Sequence, residues 1–176
     1  MKKKSIGLLI LLCVCLLLSS CEYKSEQIED YGEFKNSKYR ILSEFDLFPD
    51  EIASTWIVEG YTFWYNETLL YDDVIVFLNL SFSDQDYESE LSRIKNETYT
   101  YGNGGNAVLD EKNFNYTAYV FTYATKKYEY VLTIPEENRI VYIYLQTAPQ
   151  KKCSFLEDYL PKEYFVAYQD DICYNA

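Results

Sequence analysis

Residues 69–82 read LLYDDVIVFLNLSF, and the spacing of apolar side chains in this stretch decides the fold class. On an extended chain successive side chains point to opposite faces. Val74, Val76, Leu78, Leu80 and Phe82 therefore share one face without a break, while Ile75, Phe77, Asn79 and Ser81 take the other. β-Branched and aromatic residues dominate, as a half-buried pleated surface requires. One face should meet a helix or core, and the second grows more polar toward its end. This stretch is expected to be the central strand.

The period then changes from two to 3.6. Ser83 is an N-cap residue with Asp86 three positions on, the spacing of a capping box. Asp84, Asp86, Glu88 and Glu90 fill the first turns, and Arg93 and Lys95 are read as the last, an order that suits the helix dipole. Tyr87, Leu91 and Ile94, at i, i+4 and i+7, make the apolar stripe. A calcium loop starting at Asp84 would need glycine at its sixth position and glutamate at its twelfth. Those positions hold Ser89 and Lys95, so the acids read as helix-start chemistry on a solvated face.

Outward from this strand and helix the chain is mostly strands. Residues 56–65 (WIVEGYTFWY) have strand composition, with Gly60 as an internal bulge. Residues 114–124, 127–134 and 139–147 form three further runs. The short breaks at 125–126 and 135–138 favour successive antiparallel hairpins. Residues 22–37 mix charges of both signs with few apolar residues and read as a tether or a poorly ordered start. Residues 39–52 supply Ile41, Leu42, Phe45, Leu47 and Phe48, an apolar clasp over one end of the core. Residues 98–113 contain YGNGGN at 101–106 and read as a flexible loop. A short helix is expected over 154–160. The fold class is therefore α+β: an antiparallel sheet of about five strands, in the order β-β-α-β-β-β, with one amphipathic helix packed on one face.

Composition narrows the chemistry. The chain contains no histidine, which removes Ser-His-Asp and Cys-His catalysis, His-ligated zinc and imidazole acid–base work. There is no Cys-x-x-Cys motif, and the glycine-rich loop lacks both a basic residue and phosphate-loop spacing, so no cofactor or metal is implied. A net charge of −12 opposes nucleic-acid binding, which needs a basic footprint. The acid pairs Asp72-Asp73, Glu136-Glu137 and Asp170-Asp171 read as turn or rim features, because neighbours on a strand face opposite ways. No catalytic residue is nominated. Twenty tyrosines in 176 residues admit two readings: a stacking platform for sugars or peptides, or a tyrosine-rich sheet with buried rings. Asn-x-Ser/Thr triplets begin at Asn66, Asn79, Asn96 and Asn115 and read as incidental in an asparagine-rich chain.

The first 21 residues give an address. Lys2, Lys3 and Lys4 precede an apolar run over residues 6–18, followed by small Ser19 and Ser20 and then Cys21. The layout is that of a secretory signal. Thirteen apolar residues rise only about 20 Å as a helix, short of the ~30 Å hydrocarbon core of a bilayer. Leu18-Ser19-Ser20-Cys21 resembles the lipobox of bacterial lipoproteins. The resemblance implies cleavage between Ser20 and Cys21, lipid on Cys21, and a home on the extracytoplasmic face of the cell membrane. It divides the chain into a signal peptide (1–20), a lipidated N-terminus and tether (21–38) and one α+β domain (39–176). Removing three lysines with the signal takes the net charge from −12 to −15. The acidic body should then stand off anionic lipid on its leash.

Of five cysteines, Cys13 and Cys15 would leave with the signal and Cys21 would take the lipid. Cys153 and Cys173 remain, an even pair on the oxidising side of the membrane, and a disulfide between them is expected to pin the C-terminal tail. Closing that loop would contribute about 3 kcal/mol in the chain-entropy model. Two functions from different classes follow. The first is a non-catalytic surface module that binds an envelope protein, peptide or glycan. The second is a carboxylate-dependent hydrolase of a cell-wall polymer, which requires two facing carboxyls inside one cleft.

Overall fold

The computed structural model describes residues 21–32, 47–67, 72–102, 107–110, 115–124, 127–146 and 152–160. The alternating stretch forms a strand at Asp72–Ser81, and a 19-residue helix, α1, follows at Asp84–Gly102. In chain order the strands are β1 (Cys21–Ser25), β2 (Ile57–Glu67), β3 (Asp72–Ser81), β4 (Ala107–Asp110), β5 (Thr117–Ala124), β6 (Lys127–Ile134) and β7 (Arg139–Gln146). All pair antiparallel in one seven-stranded sheet, in the order β1-β2-β3-β7-β6-β5-β4. The sheet is two antiparallel meanders, β1-β2-β3 and β4-β5-β6-β7, joined along β3 and β7. The fold is α+β, with one helix packed on one face of an antiparallel sheet.

Seven strands replace the expected five. Residues 21–25, within the expected tether, are β1: Cys21 pairs with Glu67 and Ser25 with Phe63. The Tyr23 ring packs on Phe63 at 5.7 Å, giving this charged segment an apolar hold on the sheet. Charged side chains are the ordinary covering of a sheet edge, so composition alone reads such a strand as linker. Residues 107–110, within the expected loop, are β4 at the opposite edge. The middle position belongs to β7, with β3 beside it. The bulge at Gly60 is present as a register shift between Val58 and Gly60, and a Cβ there would meet Cε1 of Phe77 at 3.1 Å. A side chain at 60 would crowd that ring, and glycine avoids the clash.

Both faces of the sheet are buried. Val74, Val76, Leu78, Leu80 and Phe82 join Tyr87, Ile94, Tyr142 and Tyr144 in the core under α1. Ile75 and Phe77 belong to a second core on the far face, with Tyr128, Tyr130, Ile143, Cys153, Leu156 and Leu160. That face was expected to turn polar toward its end. Instead residues 152–160 cover it, through a 3-10 turn at Ser154–Leu156 where a short helix was expected. Asn79 is buried there, donating from Nδ2 to the Tyr159 hydroxyl at 3.3 Å.

The helix starts as the sequence directs. The Asp86 amide donates to Ser83 Oγ at 3.2 Å, satisfying one N-terminal N–H. Tyr87 and Ile94 are buried and Leu91 packs against the same core. The C-terminus lies beyond the expected last turn, so Arg93 sits in mid-helix rather than at the end of the dipole. In the described part of the apolar clasp, Leu47 and Phe48 are fully buried, with Phe48 at 5.4 Å from the Tyr142 ring. Residues 39–46, 103–106 and 164–168 lie outside the described residues.

Candidate functional site

Two constellations stand out, one closed and one open. The closed one lies beneath the clasp. Glu90 falls three residues after Tyr87 and four before Ile94, so the helix period places it on the buried stripe, and it is 5% exposed. Burying a carboxylate costs several kcal/mol unless it is paired and hydrogen-bonded. Here it is held by three donors: Arg93 Nε at 2.9 Å, Arg93 Nη2 at 2.6 Å and the Tyr142 hydroxyl at 2.5 Å. Arg93 also reaches Glu97 at 2.7 Å and the Leu47 carbonyl at 2.6 Å. From the sheet side, Glu129 is fully buried and accepts from the Leu47 amide at 3.1 Å. Both polar groups of the Leu47 backbone are therefore fastened, one to the helix and one to the sheet. Burial pushes the Tyr142 phenol well above the ordinary tyrosine range, and the Glu90 carboxylate adds to this. Tyr31, whose hydroxyl donates to the Pro49 carbonyl at 2.5 Å, is raised for the same first reason.

Residue type hides this cluster, because charged residues at 90, 93 and 129 score as surface. The available signal was the position of Glu90 within the apolar stripe. Chemically the cluster is a clamp. Its buried carboxylates, Glu90 with three donors and Glu129 on the Leu47 amide, lie under buried Leu47 and Phe48, an arrangement that locks a segment in place.

The open constellation is a groove of about 840 Å³ between residues 28–32, residues 50–56 and the start of β2. Ile28, Ile52, Trp56 and Val58 give it an apolar floor, and Glu29, Asp50 and Glu51 stand at its rim. Trp56 is held by edge contact with Phe82 at 5.0 Å, and Tyr31 lies edge-on to Tyr61 at 5.9 Å. An apolar floor with an acidic rim suits a ligand that is partly apolar and carries positive charge.

The residues singled out in the sequence fall as follows. The backbone of Cys21 opens β1, and the signal segment 1–20 lies outside the described residues. Cys153 is buried at 1% exposure against the second core, and Cys173 lies outside the described residues. Asp72 and Asp73 stand where β3 begins and accept from the Tyr65 hydroxyl and Asn66 Nδ2. Glu136 and Glu137 form the exposed turn between β6 and β7, where Glu137 pairs with Arg139 at 2.9 Å. Asp170 and Asp171 lie outside the described residues. Glu136 and Glu137 are thus a turn feature and Asp72 a strand-end one, while Asp73 is buried at 4% exposure, and none of the four lines the groove.

Of the two readings of tyrosine, the described residues favour the interior one. Tyr31, Tyr61, Tyr65, Tyr87, Tyr119, Tyr128, Tyr130, Tyr142 and Tyr144 are all buried. The large apolar residues exposed among the described ones are Tyr23, Ile57 and Phe155. No helix of the described residues is long and apolar enough to cross a membrane, and no group of three or more His, Cys, Asp or Glu among them could hold a metal ion.

Comparison with protein-family models, curated proteins and solved structures returned no match.

Proposed function

We propose that this chain is a bacterial lipoprotein, held by acyl chains on Cys21 at the extracytoplasmic face of the cell membrane, whose folded domain is a non-catalytic binding module for an envelope protein, peptide or glycan. One observation carries the address: three lysines, the apolar run 6–18 and the sequence Leu18-Ser19-Ser20-Cys21. Each buried CH₂ contributes about 0.8 kcal/mol, so two or three acyl chains hold the protein stably where one would not. The groove supplies the binding surface, and its acidic rim favours a peptide or protein segment that brings lysine or arginine beside apolar residues.

The non-catalytic reading is supported by the state of the buried carboxylates. Glu90 is saturated by Arg93 and Tyr142, and Glu129 is tied to the clasp backbone. The alternative, a carboxylate-dependent hydrolase, would need two facing carboxyls in one cleft and would have to draw them from Glu29, Asp50 and Glu51 at the rim of the groove. Between Cys153 and Cys173 we propose a disulfide that fastens the tail to the second core; thiol counting under denaturing, non-reducing conditions finds none free after Cys21 is lipidated if it forms.

The address is tested by intact-mass measurement of protein extracted from membranes. The expected species begins at Cys21 and carries acyl mass, and a Cys21→Ser variant stays unprocessed. A chain that retains residues 1–20 without added lipid refutes the proposal.

A further inference from the structure

We infer that the lipidated domain has no leash and stands directly on the bilayer, on the end of the sheet where β1 begins and β2 ends, with the groove at the opposite end facing away from the lipid. This rests on the lipoprotein reading above and adds an orientation to it. Cys21 is itself the first residue of β1, paired with Glu67. The next residues are fixed to the body one after another. Glu22 accepts from Trp64 Nε1 and from Lys152 Nζ, both at 2.6 Å. Tyr23 packs on Phe63, and the buried Ser25 hydroxyl donates to Asp30. Nothing between the acylated sulfur and the sheet can pay out as a tether.

The register converts this into a geometry. Glu67, Asp72 and Gln146 share the end of the sheet with Cys21, while Val58, Ser81 and Arg139 lie at the other. At about 3.3 Å per residue, the nine steps from Glu67 back to Val58 span roughly 30 Å. The floor of the groove, at Trp56 and Val58, is thus roughly 30 Å from the level of the anchor, several Debye lengths at physiological salt.

Acidic side chains stand at both ends. The far end carries the rim acids Glu29, Asp50 and Glu51, the helix-start acids Asp84 and Asp86, and the turn acids Glu136 and Glu137. The near end carries Glu22, Glu67, Asp72 and Asp73, with Lys152 beside Glu22 and over the Trp64 ring at 5.3 Å. Charge therefore does not choose between the two ends, and the orientation follows from the anchor and the register alone.

The chain's two tryptophans report on the two ends. Trp64 lies three residues from Glu67, about 10 Å above the anchor level, and Trp56 lies just beyond the far end of β2. Lipidated full-length protein is reconstituted in phosphatidylcholine vesicles containing a lipid with a nitroxide on its head group. In the Trp56→Phe variant, the remaining Trp64 emission falls severalfold. In the Trp64→Phe variant, the remaining Trp56 emission stays at its nitroxide-free level. Because Trp64→Phe also removes a bond to Glu22, the wild-type protein serves as the second measurement, with one quenchable and one unquenched component. A Gly/Ser spacer of about 12 residues inserted after Cys21, roughly 20 Å in r.m.s. reach, abolishes the quenching of Trp64 while leaving the protein on the vesicles. If lipidated protein shows both tryptophans equally quenched, or neither, the orientation is overturned and the lipoprotein reading survives. If the mass shows no lipid on Cys21, both are overturned.

Discussion

Replacing Arg93 by methionine keeps the length of the stem and removes the one cation that the described residues place in the cluster beneath the clasp. The structure sets the size of the effect. Arg93 makes two bonds to Glu90, one to Glu97 and one to the Leu47 carbonyl, all between 2.6 and 2.9 Å. Breaking a buried pair by removing one partner costs about 3–5 kcal/mol, because the other charge stays behind. Glu90 is 5% exposed but the Arg93 side chain is 30% exposed, so water reaches part of the pair and the cost should settle at about 2–3 kcal/mol. In a domain of this size that lowers the melting temperature by about 5–10 °C. The assay is urea unfolding followed by circular dichroism, for the wild type, Arg93→Met, Glu90→Gln and the double variant. Neutralising Glu90 removes the charge that Arg93→Met strands, so the double variant should lose less than the sum of the singles by about 1–2 kcal/mol. A loss below about 1 kcal/mol for Arg93→Met, or singles that add to within about 0.5 kcal/mol, refutes the clamp.

Three further outcomes follow from the same packing. Burial holds the phenols of Tyr31, Tyr61 and Tyr142 protonated well past the ordinary tyrosine value. Their contribution is therefore complete below the unfolded pKa near 10 and is lost as pH rises above it, at about 1.4 kcal/mol per pH unit for each. The last part of the phenolate absorbance should appear only together with the loss of circular dichroism above pH 10, and the full complement of phenolate forming while the dichroism stays native contradicts this. Asn138 closes the β6–β7 turn in the left-handed region, with φ 47°; Asn138→Ala should lose about 1–2 kcal/mol while Asn138→Gly stays within about 0.5 kcal/mol of wild type. Phe48→Ala, at a ring 1% exposed against Tyr142, should cost about 3–5 kcal/mol in the same unfolding assay, and a loss below about 1 kcal/mol removes Phe48 from the core.

What the sequence disclosed and what it concealed divide along physical lines. Strands with a long apolar period announced themselves: β6 falls at Lys127–Ile134 as expected, β3 within its expected stretch, and the bulge at Gly60 where a glycine interrupts the pattern. The helix stripe Tyr87-Leu91-Ile94 is buried as its spacing requires. Hidden from the pattern were the two edges. β1 is five residues long and charged, and β4 is four residues long; each is defined by its neighbour rather than by its own periodicity. Hidden too was the burial of the second sheet face, since that depends on where residues 152–160 return in space. The clamp, apart from the place of Glu90 within the apolar stripe, was hidden for a third reason. Glu90, Arg93 and Glu129 carry charge, and a buried charge is recognised only when its partners, distant in sequence, are brought against it. The groove shares that fault, because its floor is assembled from segments that meet only in the fold.

The seam between β3 and β7 has a consequence for the order of assembly. Each meander is local in sequence, but the seam joins Ser81 to Arg139 and Val74 to Gln146, so about 60 to 70 residues must emerge from the ribosome before it can close. Until then the first meander offers the bare backbone of β3, flanked by valine, isoleucine and leucine, to whatever strand arrives first. A chain built this way has good reason to remain unfolded in the company of a holdase until its last strand is available.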